Sequence, residues 1–282
     1  MSALIQQSDE WLQMRKSKIG ASDAPCIMGV GFKSRFELWL EKVGVVNNTY
    51  KSSAMQRGLD MEEAARNQFE KDNDLCVFPK VVIHPEYDFM MASLDGMSIC
   101  GQEIVEIKCP GKEDHLTATK GLVPDKYIPQ LMHQMEVCQI DKVYYYSFDG
   151  TKGVTLVVPR DDKYIEDMLQ EEKLFYECMQ NFTAPELTER DYQKKTDDIW
   201  LETELELFNI RELLKTLGVR EKDLIETLTS MADGRNCIGE LFKVARIARK
   251  GTVDYSSIPQ LQGIDLDKYR KKPSEYWKLT AI

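Results

Sequence analysis

The chain has 282 residues, 43% of them hydrophobic and 9% aromatic, enough for a packed core in one large domain or in a domain with an appendage. Its net charge of −10 and pI of about 5.0 argue against a general nucleic-acid coat but leave room for a site built from carboxylates. No run approaches the ~18 consecutive apolar residues of a membrane span, and the first residues lack the apolar stretch of a secretory signal. Seven scattered cysteines without a Cys-x-x-Cys pair, and three distant histidines, fit a reducing cytosol and argue against a zinc site.

In chain order, residues 7–19 read as a short amphipathic helix running into the basic stretch Arg15-Lys16-Ser17-Lys18. In "IGASDAPCIMGVG" either Ser22 or Asp23 is placed to cap a short helix that stops at Gly29. "SRFELWLEKVG" predicts a helix capped by Ser34 and ended by Gly44, with Phe36, Leu38, Trp39 and Leu40 near its buried side. A longer helix follows over "SSAMQRGLDMEEAARNQFEKDND", where Met61, Ala65 and Phe69 recur at i, i+4 and i+8 with Glu62 and Arg66 beside them. "CVFPKVVIHP", "FMMASLDG" and "QEIVEIKCP" predict three consecutive strands.

A helix over "DKYIPQLMHQMEVC", a hairpin turning at Asp149-Gly150 and a helix over "DDKYIEDMLQEEKLFYECMQNF" complete an α/β (α+β) pattern with a central mixed β-sheet flanked by helices. After a polar connector, two further helices turning at Gly218 and a basic β-like stretch make a C-terminal helical and β extension. The domains are therefore drawn at 1–184 and 185–282.

The stretch "SLDGMSICGQEIVEIKCPG" is the densest in chemistry. In a strand over Val105–Lys108, Glu106 and Lys108 share one face, read here as the wetted one, while Val105 and Ile107 point into the core. Asp95 is expected at the end of the preceding strand, with Gly96 making a tight turn after it. Two carboxylates can hold Mg²⁺ through hard oxygens. Such an ion activates water and offsets charge on a phosphodiester, and a neighbouring lysine orients that water. Alone, an Asp followed by Glu-x-Lys is a loose pattern, met more often on solvated sheet faces than in catalytic sites.

Four motifs in order make it specific: Trp11, Arg15 and Ile19 to Ser22; Arg57, Gly58, Glu62 and Ala65; "SLDG…EIKCP"; and Tyr127, Gln130 and Met135. Together they resemble the PD-(D/E)xK nucleases, with Leu94 in place of the lead proline, and within them the phage lambda exonuclease, or YqaJ-type, viral recombinases. The resemblance implies a restriction-endonuclease-like core and a Mg²⁺-dependent 5′→3′ exonuclease. It would use two ions, with Mn²⁺ able to substitute, and digest linear duplex DNA to 3′ single-stranded tails.

It implies metal ligation by Asp95, Glu106, the Ile107 carbonyl and Glu62, water positioning by Lys108 with help from Gln130, and 5′-phosphate binding by Arg15, Ser22 and Ser93. It further implies double-stranded DNA ends as substrate, a homotrimeric ring, a single-strand annealing protein as partner and a phage or prophage origin in a bacterial cytoplasm.

Plainer readings stand beside these. Glu62 is spaced to pair with Arg66, and Glu63 is its nearest rival. Ser22 is spaced to cap a helix, Ser93 to satisfy backbone, and Gln130 to lie on a helix surface. His84, His115 and His133 read as structural or exposed, and Cys109 as a core residue on the opposite strand face. Basic residues among aromatics in the tail, Arg246, Arg249, Lys250, Arg270, Lys271 and Lys272, suit a DNA passage, a packing or oligomer element, or a solvated face. Alternatives in function are an endonuclease on the same scaffold, a Cas4-like enzyme lacking here its cysteine cluster, and a non-catalytic DNA-binding scaffold.

Overall fold

The structure is a computed structural model that describes residues 8–46 and 53–248, together with 251, 258 and 264. The chain divides into two compact units, Met1–Tyr192 and Gln193–Ile282. In the first, helix α1 (Asp9–Ser17) opens at Ser8, whose hydroxyl accepts the Trp11 N–H, and leads into the short strand β1 (Ile19–Gly20). A single turn α2 (Ala24–Ile27) precedes α3 (Arg35–Lys42), which Ser34 and Glu37 start with a complete capping box. Asp23, not Ser22, sits before α2, and its carboxylate takes the Gly20 N–H instead of capping the turn. Gly29 and Gly44, at φ of 78° and 75°, end these helices in the left-handed region.

Helix α4 (Ser53–Asn73) is followed by strands β2 (Val77–Ile83), β3 (Met90–Ser98) and β4 (Ile104–Lys108). Then come α5 (Lys112–Thr119), α6 (Ile128–Cys138), strands β5 (Lys142–Phe148) and β6 (Gly153–Pro159), and α7 (Asp162–Gln180). Helix α5 escapes the apolar-period reading because little in it repeats, although Glu113 and Asp114 in its first turn suit a helix N-terminus.

The strands form one mixed sheet in the order β1-β3-β4-β5-β6, with β2 on the other edge of β3. Pro79 falls where the register of the edge strand β2 shifts against β3, a position where a missing N–H is harmless. Alternation sends Val105 and Ile107 of β4, with Tyr146 and Phe148 of β5, onto Ala65 and Phe69 of α4. The opposite face, with Ile104, Val143 and Tyr145, packs under Leu131 and Met135 of α6 and Ile165, Met168 and Phe175 of α7. Helices thus cover both sheet faces, the restriction-endonuclease-like core that the resemblance implied.

Two expectations are corrected here. The Glu106 face of β4 is not wetted: α6 covers it, and Glu106 is 2% exposed. Nor does Gly96 make a turn, because β3 runs on through Ser98. A Cβ at Gly96 would stand 2.6 Å from Val77 Cγ2 and 2.8 Å from Val105 Cγ1, so this glycine is required by close packing beside Asp95. Gly96→Ala is therefore expected to destabilise the protein by about 1–3 kcal/mol through overpacking. A denaturant midpoint equal to that of the parent would disprove this.

In the second unit a single helix α8 (Asp198–Met231) replaces the expected pair, passing through Gly218 unbroken. A two-residue-a-side hairpin, β7 (Cys237–Ile238) with β8 (Lys243–Val244), follows it. Arg249, Lys250, Arg270, Lys271 and Lys272 lie outside the described residues, so the expectation of a basic passage rests on sequence except at Arg246. Among the described residues no helix is long and apolar enough to cross a membrane.

Candidate active site

Strand register creates the site. β1 runs parallel to β3, pairing Ile19 with Met90 and Gly20 with Met91, while β4 runs antiparallel to it, pairing Ile104 with Met97 and Val105 with Gly96. Both lie on the same edge of β3 and advance toward each other, leaving the edge at residues 92–95 between their C-terminal ends. The β3–β4 ladder stops there. The Ile107 N–H, which would otherwise seek a main-chain partner, donates to Asp95 Oδ2 at 2.7 Å.

Glu106 is the hub. Its Oε1 accepts from Lys108 Nζ and from Gln130 Nε2, each at 2.6 Å, and its Oε2 accepts from Gln134 Nε2. Lys108 Nζ also donates to Gln130 Oε1 at 3.0 Å, so the glutamine amide bridges acid and base. The ammonium lies 5.3 Å from the Tyr127 ring centroid, a cation–π distance. From α4, Arg66 donates to Glu62 Oε1 at 2.6 Å and to the Asp95 carbonyl at 2.8 Å, tying Glu62 to the strand that carries Asp95. Glu62 thus does pair at i+4.

Burial, then the Glu106 charge and more weakly Glu62, raise the Asp95 carboxyl well above the usual range, against the opposing pull of Lys108 and the Ile107 N–H. Burial also works against the Lys108 ammonium, but Glu106 and Asp95 outweigh it and hold the lysine above its ordinary value. Lys108 is therefore a proton-bearing group in this arrangement.

The α1–β1 corner forms a second cluster. Arg15 donates to Ser22 Oγ at 2.8 Å and lies over the Trp11 ring at 4.9 Å, while Trp11 Nε1 donates to Ser93 Oγ at 2.8 Å. Arg15, Ser22 and Ser93 are thus brought together through Trp11, two residues along β3 from Asp95. Beneath them Lys42 Nζ meets Asp23 Oδ2 at 2.5 Å and the carbonyls of Arg15 and Lys18 at 2.7 and 2.8 Å. Burial opposes the Asp23 charge, yet Lys42 and Arg15 keep its pKa below the usual value.

All nine residues singled out from the sequence therefore lie in these two linked clusters. Gln134 was missed, although it stands one helical turn beyond Gln130 on the same face. Arg66 and Trp11 were noticed for their spacing but given no role in the site. His84 and His133 are buried and paired with Glu136 and Glu172, outside the site. Cys109 packs with the Val105–Ile107 side, as expected of a core thiol.

Among the described residues no three His, Cys, Asp or Glu side chains form a ready-made metal cage. The donor set nevertheless fits a hard divalent cation. Asp95 and Glu106 supply carboxylate oxygens, with the Glu106 charge, and more weakly that of Glu62, raising the Asp95 carboxyl. In this structure the cationic partners of those carboxylates are Lys108 and Arg66.

Comparison with known proteins is consistent with this geometry. Residues 10–141 match the YqaJ-like viral recombinase domain. The uncharacterized protein YqaJ of Bacillus subtilis (strain 168) is 33% identical over 175 residues, which are 60% of this chain and 55% of YqaJ. The chain thus spans about half the length of that curated relative. Among solved structures, the alkaline exonuclease LHK-Exo from Laribacter hongkongensis is 25% identical with a TM-score of 0.55, over 62% of this chain and 94% of that one. LHK-Exo in complex with dAMP matches over the same shares at 25% identity with a TM-score of 0.56.

Proposed function

We propose, for a chain whose residues 10–141 match the YqaJ-like viral recombinase domain, a metal-dependent nuclease of phage-type recombination that digests linear double-stranded DNA 5′→3′ and leaves 3′ single-stranded tails. One observation carries the reading: Asp95, Glu106, Lys108 and Gln130 converge where β3 and β4 part, beside an Arg15–Ser22 corner suited to a phosphate. The likeness to an alkaline exonuclease supports it.

Asp95, Glu106, the Ile107 carbonyl and Glu62 would hold two Mg²⁺ ions, with Mn²⁺ able to substitute. The chemistry supplied by bound Mg²⁺ is activation of water and compensation of charge on the phosphodiester. The side chains do the rest. Gln130, fixed at both ends by Glu106 and Lys108, presents its amide to the attacking water. Lys108, charged, orients that water and offsets developing negative charge. Arg15 and Ser22, with Ser93 behind Trp11, seat the terminal 5′-phosphate and set which end is attacked. A trimeric ring around DNA, an annealing partner and a bacterial cytoplasmic setting with a phage or prophage gene belong to the same reading.

Incubation with end-labelled linear duplex and with covalently closed circles, with Mg²⁺ or with EDTA, tests it. The linear substrate should disappear only with Mg²⁺, and the circle should persist. Cutting of the circle would make the protein an endonuclease instead, and cleavage in EDTA would remove the metal.

The phosphate seat has its own measurement. Hydrogen bonds to a charged group are worth about 1.5–3 kcal/mol. Arg15→Ala is therefore expected to reduce the preference for 5′-phosphorylated over 5′-hydroxyl duplex by ~10–100-fold. An undiminished preference would take Arg15 out of the seat.

A further inference from the structure

Helix α8 is 34 residues long, about 51 Å at the helical rise, and its apolar residues lie exposed in this chain. Leu207, Ile210, Leu214, Leu217, Leu224 and Leu228 follow one another at spacings that alternate strictly between three and four, with Glu221 as the one polar interruption. These are the a and d positions of a seven-residue repeat, and they are from 38% exposed at Leu207 to 62% at Leu214. Leu213 and Ile225, at g and e, widen the stripe.

A helix lying on a globular surface keeps its apolar face by following 3.6 residues per turn. A stripe that holds to seven residues drifts by ~20° per repeat and stays covered only by winding around a helix of the same repeat. Among the described residues no other helix of this chain exceeds 21 residues, too short to track α8 along its length.

We infer that α8 is covered by α8 of another copy of this chain, in a parallel, in-register coiled coil. Charge selects the direction. In the parallel arrangement Glu206, at g, meets Arg211, at the next e, of the other copy, and the pair recurs by symmetry. Glu221 in the seam then lies beside Arg220, at g, of the other copy, and a single polar residue at an a position holds the register. An antiparallel arrangement that faces Leu214 with Leu217 sets Glu206 against Thr227 and Arg220 against Leu213, all at g, so those two charges lose their partners. Leu201, Leu205 and Phe208, exposed on another side of the first turns, stand outside this seam.

The inference is independent of the nuclease reading, because no residue of the candidate active site takes part. Leu217→Cys is made in the full chain, oxidised mildly, and the linked peptides are mapped. The expected product is a 217–217 disulfide between copies, at least tenfold above the corresponding link from Val219→Cys at the outer f position. Adding Leu214→Glu to Leu217→Cys should lower the yield at least tenfold. Equal linking from 217 and 219, linking of the introduced thiol at position 217 only to cysteines of its own chain, or a link that survives Leu214→Glu would each overturn the coiled coil. Ile210→Cys, a second d position, should repeat the result as a 210–210 link.

Discussion

Lys108→Met is expected to lower the rate of DNA cleavage by on the order of 10³-fold, with duplex binding and the far-ultraviolet dichroism spectrum unchanged. The lysine is the cation closest to the reacting centre in the chain itself, 2.6 Å from Glu106 and 3.0 Å from Gln130. A preorganised charge of this kind, lost from a water-poor site, removes about 10²–10³-fold in rate. Release of Gln130 adds to this, because the lysine is one of the two groups that fix its amide. Methionine keeps an unbranched apolar stem and removes the ammonium, with its hydrogen bonds and its contact to the Tyr127 ring. Asp95→Asn should behave alike while sparing the strand, since its remaining carbonyl oxygen still accepts the Ile107 N–H. Cleavage near the parent rate by either variant would dismiss the centre. Loss of cleavage together with loss of folding would point to packing, which is why binding and dichroism accompany the rate.

The second large effect concerns stability. His133 and Glu172 form a pair with no solvent exposure, Nδ1 to Oε1 at 2.7 Å, and His133 Nε2 lies 3.1 Å from the Met91 carbonyl. The pair pins α6, which carries Gln130 and Gln134, to α7 and to β3. Removing one member of a buried pair leaves the other uncompensated, at a cost of about 3–5 kcal/mol. Glu172→Leu should therefore lower the melting temperature by roughly 10 °C, at ~2–4 °C per kcal/mol for a domain of this size. The double variant His133→Leu with Glu172→Leu should recover much of the loss, since an apolar pair of similar volume demands no desolvation.

The same pair predicts a pH dependence. Burial disfavours the imidazolium, but Glu172 and the Met91 carbonyl outweigh it, so the pKa of His133 is raised above that of a free histidine. Its contribution to stability is then complete below the ordinary histidine value of about 6.5 and fades as pH rises through the raised value. Parent protein should lose melting temperature on that alkaline limb, and the double variant should not. Parallel melting curves for the two across that range would refute the assignment.

How much of the site was legible depended on how local its cause was. Alternation in "VEIK" put Glu106 and Lys108 on one face, and the structure agrees, because strand pleat needs no neighbour to be read. Which medium covers that face is another matter. Helix α6 arrives from 22 residues after Lys108, at Gln130, and turns an expected wet surface into a buried hydrogen-bonded centre. Gln134 went unread for the same reason, since its only sign was a helical turn's distance from Gln130. Asp95-Gly96 reads locally as a turn, because Asp-Gly usually is one. The real cause of this glycine is the side chains of Val77 and Val105 on the two flanking strands.

By itself the sequence determined the helix starts and stops with their own chemistry, such as the Ser34–Glu37 box and the glycines at 29 and 44, and the alternation that sorts β4 into two faces. It also carried the four spaced motifs, from which Arg15, Ser22, Ser93, Asp95, Glu106, Lys108 and Gln130 come together beside β3. Tertiary structure decided the burial of Glu106, the meeting of Arg15 with Ser22 and of Trp11 with Ser93, and the close packing at Gly96. Continuity of α8 through Gly218 was also beyond the local signal. A glycine in a helix interior costs about 1 kcal/mol, less than the flanking turns supply. Caps and pleats arise from groups within a few residues of each other, whereas burial and pairing depend on segments brought together only when the sheet closes.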